Sequence, residues 1–171
     1  MDHQKHFSQR FEQHKNWIVF FFFLIYFICG CLIYRDYGIA VDDVPQKLLG
    51  EQSFDYIFHG NPDLLSSRDK DHGAAFELTA TYLYKVLGLH TDVQIYYFRH
   101  LAGFISFYIG TIFFFLLIKL RFKNWKLGLL GSLLLILSPR IFESSFVNSK
   151  DIPFMAFRSS PYTPCSNWMR R

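Results

Sequence analysis

Trp17 to Tyr34 reads WIVFFFFLIYFICGCLIY, 18 residues without a charge. A helix needs about 20 apolar residues to cross the hydrocarbon core, so this run is of spanning length. Trp17 and Tyr34 stand at its ends, where amphipathic rings favour the membrane interface. A cleaved signal peptide is the competing reading. The run is longer than a signal core and no small-x-small site follows it, which favours an uncleaved helix. Cys29 and Cys31 inside the run read as small apolar residues, and the chain's three cysteines give no disulfide framework.

Outward from this run, the rest of the chain repeats the pattern. Met1 to Asn16 is polar and carries Lys5, Arg10 and Lys15, as expected of a short cytoplasmic segment (1–16). Leu101 to Ile118 (LAGFISFYIGTIFFFLLI) is a second charge-free run of spanning length. Leu127 to Leu137 (LGLLGSLLLIL) is short for a span, and with Trp125 and Pro139 at its edges it reads as a short third crossing. Composition agrees: of 171 residues, 51% are hydrophobic and 20% aromatic, with 21 Phe. The expected fold is an all-α membrane protein. It has about three transmembrane helices (near 17–34, 101–118 and 125–139) plus surface amphipathic helices in a long first outer loop.

Charge placement sets the expected topology. The N-terminal segment and the Lys119–Lys126 loop are both basic, so both are expected on the cytoplasmic side. The segment from Arg35 to Tyr96 and the stretch around Asp151 then share the outer face. The formal net charge of +4 flanks apolar runs rather than forming one long patch, which argues against nucleic acid as a partner and for the bilayer. Within the outer loop, Phe76, Ala80, Leu83 and Leu87 recur at helical spacing, with Glu77 and Lys85 off that line. This reads either as a helix on the membrane surface or as an amphipathic core helix. The small amount of soluble chain favours the membrane.

The chemistry-bearing stretch is Tyr34 to Gln46, YRDYGIAVDDVPQ, directly after the first span. A carboxylate just beyond a helix end can take the proton of an acceptor hydroxyl. Asp42 and Asp43 are placed for that, and adjacent acids disfavour each other's charge. Taken alone, the pair reads more readily as solvated loop acids or a cap for a helix over Val44–Leu49 than as a catalyst. Asp151, in NSKDIP, is the second candidate; it reads as an N-cap for a helix starting at Ile152, with Pro153 in the first turn. A helix start at the membrane face also suits an anionic ligand. Arg140 and Lys150 are candidate phosphate partners, and His72 a candidate donor to phosphate. No metal-ligand spacing, phosphate-cradling glycine loop or nucleophile elbow is present, so neither a metal nor a cofactor is expected.

These segments together resemble the integral-membrane glycosyltransferases of the C superfamily, over about 34–157. The nearest group is the dolichyl-phosphate-mannose protein mannosyltransferase family with its bacterial relatives. The resemblance rests on GIAVDDVPQ after the first span and on SPRIFESSFVNSKDIPF, which is similar to a segment of bacterial members. DHGAAFEL stands where many members have His-Pro-Pro-like or Tyr-Gly-Pro-like text. The resemblance implies that Asp42 is the catalytic acid of the first outer loop, Asp43 its neighbour, and Asp151 an assisting acid. It implies a polyprenyl-phosphate-linked sugar as donor and an inverting transfer to an acceptor hydroxyl. It places the protein in the bacterial cell membrane as a multi-pass protein, with the catalytic loop outside the cytoplasm. Family members have roughly eight or more spans, so residues 17–157 correspond to the front part of such a domain, inactive alone. Arg158 to Arg171 lacks periodicity and reads as a disordered tail, consistent with a frameshift or a natural soluble end. The contrasting function class is a small non-catalytic membrane protein that uses its aromatic helices for assembly.

Overall fold

The computed structural model describes residues 14–71 and 74–159. These form helices and connecting turns: α1 (Lys15–Ile33), α2 (Asp43–His59), α3 (Asp63–Ser66), α4 (Ala75–Val86), α5 (Asp92–Phe122), α6 (Trp125–Ile136), α7 (Pro139–Val147) and α8 (Asp151–Arg158). The fold is that of an all-α membrane protein. Two helices, α1 and α5, are long and apolar enough to cross a membrane, and α6 with α7 makes a third if that pair is one broken span.

α5 is the axis. Its 31 residues extend ~46 Å at 1.5 Å per residue, well beyond the ~30 Å hydrocarbon core. Thr91 caps it by accepting from the Gln94 amide. α1 packs against α5 in the antiparallel sense, with Phe23 against Phe115 and Tyr26 against Phe104 at centroid separations of 5.6 and 5.5 Å. Gly30 makes this possible, because the Phe104 ring lies where a Cβ would stand. The other face of α1, with Phe21, Ile25, Ile28 and Leu32, is exposed to the surroundings, as expected of a lipid-facing stripe.

The segment expected as a third crossing is not a single helix. α6 ends at Ile136, after 12 residues, and α7 leaves it at 70°. Pro139 explains the break: it lacks an amide hydrogen and is favoured at the first turn of a new helix, where it stands here. The bent pair still returns the chain along α5. Gly128 packs on Phe115, whereas Gly103 receives the backbone of Ser145. Phe146 then stacks between Phe104 and Tyr37, tying the strand of chain before α2 into the aromatic core. α8 closes the bundle against α5 where Gly110 meets Ala156.

α2 and α4 form a layer of their own, and its polarity is reversed from that of a soluble domain. α4 buries Glu77, Ala80, Thr81 and Tyr84 while exposing Leu83, Val86 and Leu87. α2 buries Asp43, Gln46, Leu49, Gly50 and Ser53 while exposing Val44, Leu48 and Ile57. The apolar line read from Phe76 to Leu87 therefore faces outward beyond Ala80, as suits a helix on a membrane surface. Glu77, off that line, is inside.

The α2–α4 contact gives a sign-reversing prediction. Gly to Ala inside a helix normally stabilises by ~1 kcal/mol. At Gly50 a Cβ would stand 2.5 Å from Thr81 Oγ1 and 2.7 Å from the Glu77 carbonyl oxygen. Overpacking of this kind costs ~1–3 kcal/mol. Gly50→Ala is expected to lower the thermal midpoint in detergent, whereas Gly38→Ala, with nothing within 4 Å, is expected to leave it unchanged.

Candidate functional site

The long α5 carries Arg99 and His100 at the edge of its apolar stretch, and buried polar groups from three other segments converge there. Glu77 of α4 approaches Arg99, with Oε2 and Nη1 2.7 Å apart and both side chains almost fully buried (1% and 2% exposed). Ser149, in the α7–α8 link, donates its hydroxyl to the other Glu77 oxygen. Asp43 of α2 lies with Oδ2 3.7 Å from His100 Nε2, again with both side chains buried. The Asp43 carboxylate also accepts from the Ala40 amide at 2.9 Å. One polar layer thus runs Asp43, His100, Arg99, Glu77, Ser149.

The layer has unspent hydrogen-bonding capacity. Arg99 Nε and Nη2 and both ring nitrogens of His100 are buried without a hydrogen-bond partner. Buried polar atoms of this kind are costly unless something pairs with them. The Arg99 guanidinium, beside a carboxylate, suits an oxyanion or a sugar hydroxyl. An apolar groove of about 320 Å³ adjoins it between α4 and α5, lined by Phe76, Leu83, Phe98 and Leu101 among others.

Of the residues read from sequence, Asp43 belongs to this layer. Asp42 and Asp43 point apart at the start of a helix. Asp43 opens α2 and turns inward, while Asp42 is the exposed residue before it, and its side chain makes no capping bond. Asp43 is therefore a buried, positioned group, and Asp42 is the accessible carboxylate. Asp151 is the first residue of α8 rather than its cap. The capping falls to Asn148, whose Oδ1 accepts from the Lys150 and Asp151 amides and whose Nδ2 donates to the Asp151 carboxylate. Asp151 and Lys150 are exposed, two residues and one residue beyond Ser149. Arg140 is exposed in the first turn of α7. Arg99, rather than Arg140 or Lys150, is the buried cation of the layer. His72 lies outside the described residues, as do residues 160–171 of the expected tail. Among the described residues, no group of three or more His, Cys, Asp or Glu is placed to hold a metal ion.

A pH effect follows from the outer layer. Tyr84 donates to Glu51 Oε1 at 2.9 Å, and burial, aided by that carboxylate, raises its phenol above the ordinary value of 10.0. Lys47 is likewise raised, chiefly by its hydrogen bond to Asp92 at 2.7 Å. A group whose folded pKa is raised stabilises the fold below its unfolded pKa and loses that contribution as pH climbs towards the folded value. The α2–α4 layer is expected to loosen above pH 10, seen as faster proteolysis there, and Tyr84→Phe should flatten that dependence.

No family model, no curated protein and no solved structure matches the chain.

Proposed function

We infer that this chain carries the acceptor-activating end of a membrane glycosyltransferase that uses a polyprenyl-phosphate-linked sugar. The observation that carries this reading is the exposed Asp42 carboxylate, next to Asp43 of the buried layer that holds Arg99 at the edge of the apolar stretch of α5. A donor of this class holds its tail in the bilayer and its sugar phosphate at the surface. In the proposed step, Asp42 takes the proton of the acceptor hydroxyl. The acceptor oxygen forms a bond to the anomeric carbon, the bond from that carbon to the phosphate oxygen breaks, and the configuration inverts. The departing polyprenyl phosphate keeps the electron pair, and Arg99 offers it unspent donors. Asp43 positions His100, and the α4–α5 groove receives apolar chain. On this reading the layer faces away from the cytoplasm, in a bacterial cell membrane.

The family resemblance involves more spans than the two or three found here, so the test supplies them. An enzyme of that family is given residues 17–157 of this chain in place of its own corresponding segment. The chimera is expected to transfer labelled sugar from a polyprenyl-phosphate donor. A chimera that inserts and binds the donor yet transfers no sugar overturns the reading.

A further inference from the structure

At the end of α5 opposite the polar layer, four lysines surround one groove. Lys15 opens α1, Lys119 lies in the last turn of α5, Lys123 follows that helix, and Lys126 lies in the first turn of α6. The groove has a volume of about 740 Å³, and Val19 and Phe115 form its apolar side. Among the described residues no acidic side chain lines it. None of the four lysines forms an ion pair among the described residues. Arg99 and Lys119 are ~30 Å apart along α5, the thickness of the hydrocarbon core, so the groove sits at the second membrane interface.

Lys123 adds an independent observation. Its φ is 52°, and among the described residues it is the one non-glycine with positive φ. It occupies the left-handed position after a helix that glycine ordinarily fills, because a Cβ is strained there. Backbone strain of this kind is retained where the side chain has a use. Here the side chain extends the basic rim of the groove.

We propose that this groove is a binding site for a dianionic phospholipid. Its phosphates are held by Lys15, Lys119, Lys123 and Lys126, and its acyl chains run along Val19 and Phe115. Four ammonium groups, with no ion-pair partner among the described residues, exceed the single charge of a phosphodiester headgroup and match one that carries two phosphates. Basic pockets between membrane helices recognise such headgroups, while the apolar side of the groove gives a free phosphate nothing to bury. The site is ~30 Å from Asp42's end of the bundle and does not rest on the glycosyltransferase reading.

Native mass spectrometry of the full chain in mild detergent tests this, with diphosphatidylglycerol, phosphatidylglycerol and phosphatidylcholine as probes. Diphosphatidylglycerol is expected to bind roughly tenfold tighter than phosphatidylglycerol, the equivalent of one to two additional lysine contacts. The triple variant Lys119→Gln, Lys123→Gln, Lys126→Gln should lose roughly 100-fold. Lys123→Gly separates binding from folding. It removes one charge and relieves the backbone, so it should weaken retention roughly fivefold with an unchanged or higher thermal midpoint. Equal retention of all three lipids, or undiminished binding by the triple variant, overturns the proposal. Equally tight binding of inorganic pyrophosphate alone assigns the groove to a soluble phosphate and overturns it as well.

Discussion

Arg99→Met is expected to destabilise the protein by ~3–5 kcal/mol, the cost of leaving one member of a buried ion pair without its partner. Glu77 is 1% exposed at its side chain and, among the described residues, then keeps the Ser149 hydroxyl as its hydrogen-bond partner. With total stabilities of ~5–15 kcal/mol, that loss threatens folding outright. The pair need not itself be strongly stabilising, because desolvating both charges cancels much of their attraction. The double variant Glu77→Leu, Arg99→Met should therefore recover most of the loss. Thermal unfolding in detergent measures both. If the single variant were as stable as wild type, water would be reaching the pair and the layer would be open. If the double variant were as damaged as the single, the cost would lie in packing rather than in an unpaired charge.

That layer marks the limit of what the chain discloses when read linearly. The two long spans were legible because a run of 18 uncharged residues has few other uses. The Pro139 edge was legible too, but the 70° bend behind it was not, since a proline marks a break without giving its angle. Glu77, Arg99 and His100 were missed for two physical reasons. Charged residues beside a span ordinarily turn towards headgroups and water, so Arg99 and His100 read as flanking charges. For α4, helical periodicity located the apolar face and the small amount of soluble chain gave its outward direction, but neither showed that Glu77, off that line, is buried. Beside a membrane that face turns outward, and burial passes to the polar side. The usable signal was the size of the residues on that side. Thr81 lies four residues from Glu77, and Gly50 of α2 faces both, closest to Thr81 Oγ1 and the Glu77 carbonyl oxygen. Small residues on a polar stripe denote close helix contact, and a charge on the same stripe is then inside. Asp43 and Asp42 show the same point at one residue's resolution: the letters are identical, and only the start of α2 separates the buried acid from the exposed one.

Asp42→Asn is expected to lower sugar transfer by ~10²–10⁴-fold in the chimeric enzyme, the range that a positioned general base contributes. Insertion, donor binding and thermal midpoint should stay unchanged, since the Asp42 side chain is exposed and makes no capping bond. Asparagine keeps the size and hydrogen-bonding reach of the side chain and removes only its capacity to take a proton. The contrast with Asp43→Asn separates the two adjacent acids. Asp43 accepts from the Ala40 amide and lies against His100, 3.7 Å away, so its replacement alters the polar layer itself. Asp43→Asn is expected to lower the thermal midpoint together with the rate, whereas Asp42→Asn lowers the rate alone. Normal turnover in Asp42→Asn sinks its role as the base. If Asp43→Asn instead lost activity at full stability, the base would be the buried acid, with its proton passing to His100. The acceptor would then have to enter between α2 and α5 rather than reach the exposed end of the loop.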